Sequence, residues 1–115
     1  LRAKIAVEVG VTRIVVLFNL KAGVDPEVYE AWAKSTDIPV VNGLDSIGAF
    51  SVHQTTGVLG SDARPPYAYV EIIDVVDMDQ FGADVASETM QRIAAEFQAF
   101  ADNPTFIMTR TLGAA

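Results

Sequence analysis

Thr12–Leu20 reads TRIVVLFNL, and no other stretch limits the fold of this chain so tightly. Apolar β-branched and aromatic residues occupy its odd and even positions alike. As a strand it therefore has no face that water can take, and it belongs in the middle of a sheet with cover on both sides. The chain has 115 residues, enough for one domain with its own core and no second one. Helices from the same chain can cover one sheet face. The other face needs a further layer, and a second copy packed sheet against sheet is the most economical. A homodimer is expected, with any pocket lying between helices and sheet.

The remaining punctuation gives the element order. Asp25 and Pro26 have the chemistry of a helix N-cap and first helical position. Val28, Ala31, Trp32 and Ser35 then form an inward stripe over Pro26–Thr36, and Pro39 is expected to stop this helix. Val40–Ser46 is connection. Ile47–Thr56 alternates, with Phe50, Val52 and Gln54 opposite Ala49, Ser51 and His53. Gly57–Pro66 is a loop, and Tyr67–Val75 is a third strand. Asp77 with Gln80 makes a capping pattern before a short helix, a break near Gly82–Ser87, and a longer helix with Met90, Ile93, Phe97 and Phe100 inward. Asp102-Asn103-Pro104 is expected to end it, leaving Thr105–Leu112 as the last strand. The order β-α-β-β-α-β predicts an α+β, ferredoxin-like layer with helices on one side of an antiparallel sheet.

Composition narrows the function classes. Eight Lys and Arg stand against fifteen Asp and Glu, a net charge of −7, with no basic cluster to displace counterions from a phosphate backbone. Nucleic acid is not an expected partner, nor is an anionic membrane. The longest apolar run, Ile14–Phe18, is far short of the roughly 20 residues that span a bilayer. A cytoplasmic location is the default expectation. With no cysteine, thiolate catalysis and cysteine-held metals are excluded. The Asp74, Asp77, Asp79 cluster lacks the spacing of a calcium loop, so no metal is expected. Phosphate-loop, dinucleotide and Ser-His-Asp patterns are missing from the sequence, and no cofactor is expected. Patterning begins at Val11-Thr12. Residues 1–11 are read as a leader or non-native extension, 12–112 as the domain and 113–115 as a tail.

The segments TRIVVLFNLKAG, DPEVYEAWAKSTDIP, TTGVLGSDARPPYAYVEIIDV and AAEFQAFADNP resemble the RedY-like (HapK) proteins of the dimeric α/β-barrel superfamily. The likeness runs from about Thr12 to Leu112. It implies a role in bacterial secondary metabolism, in prodiginine- or bisindole-type pigment pathways. There a small cofactor-free protein would guide condensation or cyclisation of a hydrophobic aromatic intermediate.

Among candidate site residues, His53 is the only histidine and so the one side chain whose ordinary pKa suits proton transfer near neutrality. Its strand face carries small neighbours, Ser51 among them, that would leave room for a ligand; the plainer role is a half-exposed strand histidine. Asn19 could hold a developing oxyanion or simply bond a turn. Glu71 lies mid-strand among apolar residues. Buried, it would become an acid or base with a raised pKa; paired with Arg13 or Arg110, it would be structural. Trp32, Tyr69 and Tyr29 could orient a flat ligand, as could Phe18, although Phe18 and Tyr29 read first as core. Asp37 reads as a solvated helix-end charge. Two other functions remain open at this stage: a cofactor-free quinone-forming monooxygenase, and a non-catalytic escort for an unstable intermediate.

Overall fold

The computed structural model describes residues 11–114, so the leader expected at the N-terminus lies, up to residue 10, outside the described residues. Strands β1 (Thr12–Leu20), β2 (Ile47–Gln54), β3 (Tyr69–Val75) and β4 (Ala101–Thr109) pair into one sheet of order β2-β3-β1-β4. Every neighbouring pair is antiparallel. The doubly apolar strand is thus central, between β3 and β4. Helices α1 (Pro26–Trp32), α2 (Ile38–Asn42), α3 (Met78–Val85) and α4 (Glu88–Phe100) complete the predicted ferredoxin-like order.

The first helical segment departs from expectation in two ways. Asp25 caps it, its carboxylate accepting from the Glu27 amide, and Pro26 opens it. Pro39 does not end it. Residues Ala33–Asp37 form a π turn in which the Ile38 amide donates to the Ala33 carbonyl, and α2 continues to Asn42 with Pro39 in its first turn. The ring clash and lost amide that make proline a helix breaker matter least at the start of a new hydrogen-bonding register. The buried stripe is also rotated from the one expected. Tyr29, Ala33, Asp37 and Val41 face the core, while Val28 is 55% exposed and Ala31 and Ser35 also face water. Spacing of four stays on one face here because the π turn slows the helical rotation.

Two bulges correct the simple alternation of the strands. Ile47 and Phe50 are both buried on the helix side, three residues apart, which a regular strand cannot do. The register shift between Ile47 and Ala49 places Gly48 as the extra residue, where an added Cβ would sit 3.0 Å from Val76 Cγ1. The other bulge lies in β4. The longer helix ends at Phe100, as its inward stripe predicted, but the strand begins at once, at Ala101. Asp102-Asn103-Pro104 lies within β4 rather than before it. The register jumps between Leu17–Thr105 and Asn19–Asp102, and Asn103 takes φ 48°, a left-handed conformation that asparagine tolerates. Proline fits because β4 is an edge strand.

Between helices and sheet lies an aromatic core. Phe18 is fully buried, with ring centroids 5.7 Å from Tyr29, 5.5 Å from Tyr69 and 5.0 Å from Phe97. The opposite face of the sheet, by alternation, presents Val15, Leu17, Val70 and Ile72, all only half-buried.

Candidate acid–base cleft

Strand alternation puts Tyr69, Glu71 and Ile73 on the helix-covered face of β3. Glu71 is paired in register with Val16 on one side and Val52 on the other. It is 4% exposed, and its Oε2 has no hydrogen-bond partner. Arg13, a possible mate on sequence grounds, instead holds Asp74 on the opposite face at 2.7 and 3.1 Å. Burial, and after it the charge of Asp37, pushes the Glu71 carboxyl up to about 8. Asp37 reaches the same space from the π turn, is also 4% exposed, and is pushed up to about 7 by burial.

These two residues both line a cleft of about 170 Å³. Its walls are otherwise apolar: Phe50 and Ile73 from the sheet, Phe81 from α3, Ile93 and Phe97 from α4, Phe106 from β4. A low-dielectric wall raises the cost of the charged form, which is why both acids hold their protons into the neutral range. Beside them the Tyr29 phenol is buried with its hydroxyl unpartnered. Its pKa is raised by burial first, then by the charges of Glu71 and Asp37. A second, more polar cleft of about 260 Å³ lies beside α1, lined by Tyr29, Glu30, Lys34, Gln54 and Tyr69. There the Tyr69 hydroxyl donates to Glu30 Oε2 at 2.7 Å; burial, then that bond, holds its phenol protonated. Among the described residues no group of side chains could hold a metal ion, and no helix is long and apolar enough to cross a membrane.

Residues 12–112 match the family described as REDY-like protein HapK. The chain belongs to the RedY-like HapK family. The crystal structure of HapK from Hahella chejuensis is 26% identical, with TM-score 0.73 over 90% of this chain and 95% of that one. Two less similar structures share the fold. One is SnoaB, a cofactor-independent oxygenase from Streptomyces nogalater (13% identity, TM-score 0.71, 91% and 96% covered). The other is a dimeric protein of ferredoxin-like fold and unknown function from Bacteroides fragilis (12%, TM-score 0.64, 89% and 97% covered). No curated protein matches the sequence.

In this HapK-family chain the sequence-derived candidates divide between the two faces of the sheet. Glu71 is in the apolar cleft, and Tyr29 and Tyr69 flank it through the second cleft. Phe18 is core beneath them. Trp32 packs on Phe100 at 5.3 Å and donates its indole N–H to Glu96 Oε1 at 2.8 Å, outside the lining of either cleft. His53 and Ser51 are on the far face, bonded to each other at 2.9 Å. Asn19 is on that face too, donating to the Pro66 carbonyl at 3.1 Å and accepting from the Ala68 amide at 2.9 Å. That pins the loop leading into β3. Asp37, which sequence reasoning set aside, lines the apolar cleft; the spacing of four from Tyr29 through Ala33 was its signal.

Proposed function

We propose that this chain is a cofactor-independent enzyme of bacterial secondary metabolism that promotes condensation or cyclisation of a hydrophobic aromatic intermediate, in a prodiginine- or bisindole-type pigment pathway. Family membership supports the setting. The observation that carries the chemistry is a buried pair of carboxyl groups, Glu71 and Asp37, in the lining of an otherwise apolar cleft. Near neutrality Glu71 is mostly protonated and Asp37 is divided between its two forms, so one can donate a proton while the other accepts. In a condensation, an electron-rich ring carbon bonds to a carbonyl carbon, whose oxygen takes the Glu71 proton. The ring carbon then gives its own proton to the Asp37 carboxylate. The Asp37 carboxyl then protonates the hydroxyl, which leaves as water. The resulting conjugated cation gives its ring N–H proton to the Glu71 carboxylate, so that the neutral product forms and the carboxyl pair returns to its starting state. The apolar walls hold the partners in reactive geometry and keep water from competing.

The active unit on this reading is a homodimer. The half-buried Val15, Leu17, Val70 and Ile72, with Ile107 42% exposed beside them, make an apolar patch for a second copy on the face away from the cleft. His53 and Ser51 then belong to the border of that contact rather than to the chemistry. The test is condensation of pyrrole-2-carbaldehyde with 2,4-dimethylpyrrole, followed by the visible absorbance of the dipyrromethene. Acceleration by the wild-type protein that is lost in Glu71→Gln supports the proposal. Tight binding of either pyrrole without acceleration contradicts it and favours an escort role.

A further inference from the structure

We propose that the apolar cleft selects aromatic ligands that carry a basic or N–H-donating nitrogen and rejects aromatic anions. This deepens the reading of the cleft as a small-molecule site and rests on it. Of the cleft's thirteen lining residues, two are carboxylic acids and none is lysine, arginine or histidine. Each acid is 4% exposed, so solvent does little to screen a charge placed beside it. Glu71 Oε2 adds a specific demand. A buried polar oxygen without a partner is costly; this one has none, and Glu71 is among the residues that line the space a ligand would fill. An N–H or ammonium group satisfies that oxygen. While Glu71 is protonated it can still donate to a carboxylate or phenolate, but the ionised fraction of the pair, Asp37 first and then Glu71 as pH rises, repels one. Phe50, Phe81, Phe97 and Phe106 are also in the lining, and an aromatic ring that meets a ligand with its face favours a cation over an anion by its quadrupole.

The remaining polar groups do not reverse this preference. From α1 and the π turn, Tyr29 and Asp37 face Glu71; from β3, Tyr69 follows along the same face, with its hydroxyl committed to Glu30. The cleft residues of β2, α2, α3, α4 and β4 are all apolar. Lys34, from the π turn, lines the second cleft and not this one. The preference should strengthen as pH rises through the neutral range, because deprotonation of the carboxyl pair adds negative charge and attracts the cation more.

Three matched probes test this on the full-length protein by calorimetric titration: 2-naphthylmethylamine, 2-naphthylmethanol and 2-naphthoate. At pH ~7.5 the amine is expected to bind at least about tenfold tighter than the naphthoate, with the alcohol between. The gap should widen from pH ~6 to pH ~8.5, and shrink below about threefold in Glu71→Gln. Equal binding of all three probes to the wild type overturns the charge preference and leaves the ligand site standing. Failure of all three to bind overturns the ligand-site reading and the preference with it. The wild-type comparison decides the matter even if the variant does not fold.

Discussion

The two faces of the sheet are made from alternate residues of the same strands, yet they set different conditions for a titratable side chain. On the helix side Glu71 stands among Val16, Val52 and the aromatic cluster, unpaired and shut from water. On the other side His53 is exposed, with a serine hydroxyl as partner. Residue type pointed to the histidine as the proton carrier, because its ordinary pKa lies near neutrality. Environment points to the glutamate, whose burial moves a carboxyl into the same range. Where a side chain faces matters more than its pKa in water.

The comparison would break most visibly at Glu71. Glu71→Gln keeps the shape and removes the transferable proton, and should lower the condensation rate by about a hundredfold or more; a loss under threefold would place the chemistry elsewhere. The outer face should respond in association instead. Ile72→Asp puts a charge into the apolar patch and should weaken self-association by about a hundredfold or more, read by sedimentation at several concentrations. Stability should distinguish the faces next. Glu71 and Asp37 bind protons more tightly folded than unfolded, so their contribution is complete below about pH 4 and falls as pH rises through about 7 and 8. Wild-type protein should therefore lose on the order of a few kcal/mol from these groups between mildly acidic and mildly alkaline pH. Glu71→Gln, followed by denaturant titration at both pH values, should remove much of that slope. The smallest effect is expected from His53→Ala, with the condensation rate within about twofold of wild type.

Much of the fold could be read from sequence because its signals are local and strong: the doubly apolar β1, the Asp25-Pro26 start, the Asp77 cap and the Met90–Phe100 stripe all reappear. The misses come from places where the backbone leaves its regular period. Pro39 within a helix and Asp102-Asn103-Pro104 within a strand were read as stops, because a π turn and an edge bulge have no simple sequence signature. Asp37 was lost with the first of these: once the helix was ended at Thr36, its carboxyl had to lie at a wet terminus. Glu71 was visible as a mid-strand carboxylate, but its burial depended on which face of β3 met the helices, and tertiary packing decides that.

The most direct test is a titration of the Glu71 side-chain carboxyl, followed by carbon-detected NMR and assigned by its disappearance in Glu71→Gln. A cleft that holds this group in apolar surroundings predicts a midpoint near 8. A midpoint in the ordinary carboxylate range, around 4, would mean that water or a cation reaches Glu71 and that the cleft is not the acid–base site proposed for it.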